Sequence, residues 1–410
     1  MTKLFPDFEI SSEFVDFKPT RTDGLRRLEQ FLARTGRHYA GTRNYDFGEG
    51  RRSNVSALSP WLRYRLITEE ELLVRVLAQH SPSTAEKFVQ EVFWRTYFKG
   101  WLEQRPSVWA HYQRGVMSAL EEVDGDVERH ARFKDALAGN TGIDCFDSWV
   151  QELVTTGYLH NHARMWFASI WIFTLRLPWQ LGADFFLQHL LDGDPASNTL
   201  SWRWVGGLHT KGKTYLARPD NITKYTEGRF RPKGLATFAE PLDEYVDHPR
   251  IPIASTGTQI KAPYVLLLTE EDLSGAAIMS TPPVETIGLL ATHGRSPRPV
   301  ANAVDAFAMG SMIGVLQPEA RVERPVDDWS EPLIEAAQKA GVTSIVTPYA
   351  PTGPARSRLD RAEPKLKDAG VTLCRIMRPY DSIAWPHAKA GYFGLKKKIP
   401  MILSQLKLAG

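Results

Sequence analysis

Residues 192–204 read DGDPASNTLSWRW, with Asp192, Asp194, Asn198, Trp202 and Trp204 inside thirteen positions. Carboxylates, an amide and two indoles crowded into one loop are suited to handling a buried charge beside a flat ring. Asp192 and Asp194 follow the apolar stretch FFLQHLL (185–191), where a helix C-terminus disfavours negative charge. They therefore call for cations or hydroxyl donors, and Arg164 is a candidate partner. Read alone, they are a structural ion pair and turn residues. A second group, Glu91, Trp94, Arg95 and Phe98, falls at i, i+3, i+4 and i+7 of a helical pattern. It would suit a flat, hydrogen-bonding ligand near a phosphate, or else an exposed ion pair beside a half-buried indole. Asn161 and Met165 share a face at i,i+4. In SNVSALSPWLRYR (53–65), Ser59 is placed to cap a helix with Pro60 at N1, and serines beside free amides make a phosphate cradle.

These residues need elements to hold them. The pattern up to about residue 230 predicts helices over 84–103, 145–157, 160–175 and 180–193, the third apolar all round and so buried, with Gly157 ending the second. No strand is predicted there. From about 263 short β-rich runs (264–269, 286–292, 344–349, 371–377) alternate with helical segments (299–316, 331–341, 355–370). That alternation predicts a small parallel-sheet, Rossmann-like α/β domain. The division is therefore an all-helical domain over 1–240, a Pro/Gly/Ser-rich linker over 241–262 and the α/β domain over 263–410. Composition marks the same boundary, because 11 of the 12 Trp precede residue 330.

With 410 residues, 43% hydrophobic and 24% charged, the chain has ample material for a core, and its +3 net charge permits an anionic partner without requiring one. Cys145 and Cys374, distant and in unlike contexts, exclude a disulfide framework, a thiolate zinc site and a Cys-ligated iron–sulfur cluster. The start MTKLFPDFEI has no signal-peptide pattern and no apolar run is long enough for a membrane span, so the expectation is a cytoplasmic protein with no membrane partner.

The ordered blocks YAGTRN (39–44), SNVSALSPWL (53–62), QEVFWR (90–95), TG (141–142), GYLHNHARM (157–165) and LLDGDPASNTLSWRW (190–204) resemble the flavin-binding helical domain of the DNA photolyase/cryptochrome family. The resemblance implies an all-helical FAD-binding domain in which Tyr39 and Arg43 lie near the flavin and Ser56, Leu58 and Ser59 hold the FAD diphosphate. It pairs Asp192 with Arg164, sets Asp194 by the ring edge or ribityl chain and faces Asn198 to flavin N5. Trp202 and Trp179 become an electron relay whose third member is unaligned, Trp109 or Trp101 being stand-ins. Trp94 and Trp204, with Arg95, clamp a flipped-out lesion, and Glu91 bonds its carbonyl. Asn161 and Met165 follow the pattern of cyclobutane-dimer photolyases, where (6-4) enzymes usually carry histidines. The implied function is light-driven, FAD-dependent repair of cyclobutane pyrimidine dimers in single- or double-stranded DNA by a monomer. The alternative is a cryptochrome-like blue-light photoreceptor.

Departures from the family pattern are Val55, Thr96, Ala136 and His162. The family's α/β antenna domain usually precedes the flavin domain; here only about forty residues do. Residues 347–401 faintly resemble the end of that antenna domain, which leaves a relocated antenna domain, its chromophore unknown, beside an unrelated scaffold. Arg51, Arg52, Arg63, Arg65, Lys211, Lys213, Lys224 and Arg229 are candidates for a nucleic-acid face, and THGRSPRP (292–299) for an anion loop.

Overall fold

The computed structural model describes residues 11–253, 260, 262–316, 321–325 and 327–408. The opening stretch MTKLFPDFEI and part of the expected linker lie outside the described residues.

The first half is built of α1 (Arg21–Leu32), α2 (Arg37–Thr42), α3 (Ser59–Arg63), α4 (Glu69–Gln79), α5 (Glu86–Glu103), α6 (Ser107–Asp124), α7 (Val127–Ala138), α8 (Asp144–Thr156), α9 (Asn161–Ser169), α10 (Trp179–His189), α11 (Pro195–Val205) and α12 (Pro219–Tyr225). Among its described residues the only β pairing is an isolated bridge between Glu13 and Arg51. The four helices expected from periodicity are α5, α8, α9 and α10. Gly157 ends α8 at φ 67°, a left-handed position that glycine takes without a Cβ penalty. The apolar segment after His160 is α-helical to Ser169, continues as a π turn over Ile170–Thr174 and is buried along most of its length.

One expectation is corrected at this level. The stretch 192–204 is a loop only as far as Asp194, and the rest is α11. Asp194 caps it, accepting from Ser197 N at 2.8 Å, and Pro195 occupies the first turn. Asp-Pro ahead of a run with few breakers is a helix start signal that the cluster of functional residue types obscured.

The second half is a five-stranded parallel sheet in the order β3-β2-β1-β4-β5, from β1 (Val265–Thr269), β2 (Glu285–Leu289), β3 (Val322–Glu323), β4 (Ser344–Pro348) and β5 (Thr372–Ile376). It is a Rossmann-like doubly wound sheet. β3, only two residues long, carried no readable periodicity. β1 is buried at every position, as a central parallel strand must be. The helices α13 (Asn302–Ile313), α14 (Ser330–Lys339) and α15 (Pro354–Asp368) connect the strands, and α16 (Pro379–Ala384), α17 (Tyr392–Lys396) and α18 (Ile399–Gln405) follow β5.

The two halves share a core. One apolar cluster runs from Leu28, Trp61 and Phe93 of the helical part to Leu266, Phe307 and Tyr392 of the other. Gly100 of α5 lies against Trp385, where an added Cβ would stand 2.8 Å from the Trp385 backbone, so only glycine allows this approach. The loop after β1, Glu270–Asp272, enters the helical half. There Glu271 pairs with Arg63 at 2.7 Å, and Asp272 with Arg65 at 3.2 Å and Arg378 at 2.8 Å. On Glu103 of α5 converge the hydroxyl of Tyr349 and the amide of Thr352 at 2.8 Å, from the loop after β4. The C-terminal edge of the sheet, where open α/β sheets usually take ligands, is thus filled by the helical half.

Candidate functional site

A cavity of about 370 Å³ lies within the helical half, walled by α2, the loop into α3, α4, α5, the start of α9 and the turn at Asp192. Its size falls in the range of cofactor pockets, roughly 300–1,000 Å³. Tyr39, Arg43, Ser56, Leu58, Ser59, Glu91, Arg95, Asn161, Arg164, Met165 and Asp192 all line it. Residues remote in sequence therefore meet on one surface.

The floor has two polar features. Arg164 grips Asp192 with two bonds, Nη1 to Oδ1 at 3.0 Å and Nη2 to Oδ2 at 2.8 Å, and the Ser59 hydroxyl donates to the same carboxylate. This bidentate geometry fixes both planes. The second is the strand of backbone from Ser56 to Ser59. Buried Arg27 takes the carbonyls of Val55 and Ser56, each at 2.7 Å, and Ala57 turns at φ 51°. Among the described residues no bond engages the amides of Ser56, Ala57, Leu58 or Ser59. Successive unpaired amides on a cavity wall make an anion-binding nest. Ser59 itself is not the expected cap: α3 begins at Ser59, Leu58 holds the cap position without a side-chain bond, and the Ser59 hydroxyl serves Asp192 instead.

Towards the opening stand Glu91, half-exposed, and Asn161, exposed. Burial pushes the Glu91 carboxyl above its ordinary range, against the pull of Arg43, 3.7 Å away. His160, next to Asn161, is held neutral by burial, its pKa depressed to about 4, and its Nε2 has no partner among the described residues. His160 and Glu69 also line the cavity and were not singled out from sequence. His160 sits inside the recognised block GYLHNHARM; nothing local marks Glu69.

Six expected residues stay outside this lining. Asp194 is buried among Arg95 and Lys99, each at 3.2 Å. Burial alone would raise its carboxyl, but Lys99, Arg95 and Arg63 hold it well below the usual carboxylate range. Asn198 spends its side-chain N–H on Ala183 O of α10 at 2.8 Å, a helix-to-helix tie. Trp202 packs on Phe186 (5.2 Å) and Trp171 (6.3 Å), while Trp179 packs on Tyr112 (5.6 Å), which leads to Trp109 (5.3 Å). The two expected relay members thus belong to separate aromatic strings, and the Trp179 string ends on a buried indole. Trp101 instead packs against His209 at 4.7 Å.

Trp94 is stacked face to face with Tyr392 of α17, centroids 3.6 Å apart and planes within 10°, and Trp204 stacks on Tyr215 at 5.6 Å. The reason is angular: at about 100° per residue, Trp94 and Arg95 cannot share one side of α5. Glu91 and Arg95 take the cavity and Trp94 and Phe98 the flank, so the four do not form the single face expected. The expected basic face also divides. Arg52, Arg63 and Arg65 are buried in ion pairs with Glu152, Glu271 and Asp381, whereas Lys211, Lys213 and Lys224 are exposed. Arg295, in the expected anion loop, is buried against Tyr64. Among the described residues no helix is long and apolar enough to cross a membrane, and no cluster of His, Cys, Asp and Glu could hold a metal.

Residues 88–244 match the family model described as the FAD binding domain of DNA photolyase. The chain is 33% identical over 181 residues to a deoxyribodipyrimidine photo-lyase of Streptomyces griseus, covering 41% of this chain and 38% of that protein. It is 26% identical over 227 residues to that of Alkalihalophilus pseudofirmus, covering 55% and 45%. A cryptochrome structure from Synechocystis is similar at 24% identity and a TM-score of 0.42, over 54% of this chain and 46% of that one. The chain spans less than half the length of these curated relatives.

Proposed function

We propose that the chain, whose residues 88–244 match the FAD binding domain of DNA photolyase, is a member of the DNA photolyase/cryptochrome family that binds FAD and repairs cyclobutane pyrimidine dimers in DNA under light. The observation that carries the reading is the cavity itself. It has a nest of four free amides and an Arg164–Asp192 pair on its floor, and Glu91, Asn161 and Met165 in its lining. This donor set fits FAD: the nest suits a diphosphate, the Arg–Asp pair a polar ring edge, and the orphaned His160 Nε2 awaits a partner. FAD, when bound, reduced and excited, supplies the electron that opens the dimer and then takes it back.

The protein's residues do the rest. A dimer must leave the duplex stack to reach a cavity within the helical half. Glu91, its carboxyl pushed above the ordinary range by burial, is placed to hydrogen-bond a dimer carbonyl, donating when protonated, a bond that strengthens as charge develops there. Asn161 supplies a neutral amide to the base edge and Met165 an adaptable apolar contact. Arg95 also lines the cavity, its charge shared with Glu69 and Asp194.

The test is illumination of the FAD-loaded, chemically reduced protein with a thymine-dimer oligonucleotide. Light-dependent recovery of thymine absorbance is expected, and Glu91→Gln should lower the yield about tenfold or more while FAD stays bound. Bound FAD with no repair on single- or double-stranded substrate would overturn the proposal in favour of a blue-light photoreceptor. One observation favours that second reading: Tyr392 covers the face of Trp94 that a lesion would use.

A further inference from the structure

A second depression of about 460 Å³ lies between Thr214–Leu216, Arg218, Asn221 and Thr237–Ala239. Its two walls are tied by the Thr214 hydroxyl bonding Ala239 O at 3.2 Å. It shares a partition with the flavin cavity. The Tyr215 hydroxyl meets His162 Nε2 at 3.2 Å, and His162 lines that cavity. Trp166, stacked on His162 at 4.1 Å, donates its Nε1 to Asn221 Oδ1.

Three features of this groove agree on one occupant. The Phe238 ring is 73% exposed, and Tyr215, backed by Trp204, faces the same depression. An exposed ring beside a half-buried tyrosine makes a stacking platform for an unpaired base. Residues 210–240 carry seven Lys and Arg against three Asp and Glu, a net of +4 in a chain whose total is +3. Arg229 is taken by Asp46 and Glu227 by Arg51, but Lys211, Lys213, Arg218 and Lys233 make no ion pair among the described residues. Finally, the Asn221 amide nitrogen has no partner among the described residues and can read a base edge.

We propose that this groove binds the undamaged nucleotide next to the lesion, its base stacked on Phe238 and Tyr215 and its phosphate on Arg218, in DNA that is single-stranded at that step. The identity of the neighbouring lesion rests on the repair reading; the affinity for an undamaged single strand does not. The groove also supplies the strand contact that the covered Trp94 face withholds.

The experiment uses the full FAD-loaded chain and labelled oligothymidine, undamaged, titrated at 50 and 200 mM salt beside the same length of duplex. The wild type should prefer the single strand. Phe238→Ala should weaken its binding about 5- to 150-fold, the range for losing one stacked base. Arg218→Ala should reduce the salt slope by about 0.7, one phosphate on a single strand. Neither variant should change FAD content or the repair of an isolated thymine dinucleotide dimer, which has no neighbouring nucleotide. Unchanged oligothymidine affinity in both variants would overturn the proposal, as would no wild-type binding at low salt or equal preference for duplex. Failure of repair on every substrate, with the oligothymidine results as expected, would sink the repair reading and leave the groove standing.

Discussion

Asp194 offers a decisive perturbation because two readings of it differ in what breaks. If it holds the flavin, neutralising it costs FAD affinity; if it is the buried N-cap of α11 amid cations, neutralising it costs stability. The carboxylate is 1% exposed, accepts from Ser197 N at 2.8 Å and lies 3.2 Å from both Arg95 and Lys99. Asp194→Asn keeps the cap, since asparagine caps as well as aspartate, and removes only the charge. It leaves Arg95 and Lys99 facing each other with less compensation, and breaking a buried pair from one side costs about 3–5 kcal/mol. Asp194→Ala should cost about 1 kcal/mol more, for the cap. The assay is urea unfolding of the FAD-free protein followed by tryptophan fluorescence, paired with flavin titration of the folded variants. Because the folded carboxyl is held far below its unfolded value, its contribution is present above pH ~4 and fades as pH falls through the depressed folded pKa. The Asp194→Asn penalty should therefore shrink in acid. A variant as stable as the wild type that binds FAD ten times more weakly would refute the reasoning.

Three further outcomes are expected. Asn198→Ala should destabilise by about 0.5–1.5 kcal/mol, by removing the tie to the Ala183 carbonyl of α10, and leave flavin photoreduction unchanged; altered photoreduction at full stability would restore Asn198 to the flavin. Tyr392→Ala removes a buried aromatic stacked at 3.6 Å and should cost about 3 kcal/mol or more while exposing Trp94; tighter binding of dimer-containing DNA by this variant would identify α17 as a cover over the lesion face. His160 titrates at about 4 folded against 6.5 unfolded, so stability falls as pH drops from 6.5 towards 4. Between pH 7 and 5 the wild type should lose about 2 kcal/mol more than His160→Gln, read from urea midpoints.

Local periodicity and local motif were legible in the amino-acid order alone. The period-3.6 segments became α5, α8, α9 and α10, and four of the five strands lie where β-rich runs alternate with helical ones, because both signals depend on neighbours within a few residues. The blocks that line the flavin cavity were equally readable, since Ser56–Ser59, Glu91 and Asn161–Met165 each act as a short unit. What depends on partners far along the chain was not. Whether Asp194 trails α10 or starts α11 turns on a break of only a few residues, and its charge is balanced by Lys99 of another helix. That Trp94 meets Tyr392 rather than a lesion follows from docking of α17 onto α5, nearly 300 positions away. The separation into two domains was read from composition, but packing joined the halves, because the acidic turn after β1 took counterions from the helical part, Arg63 and Arg65, as well as Arg378 from its own half. A sequence names the groups able to carry charge; only the tertiary structure decides which of them are taken out of water together.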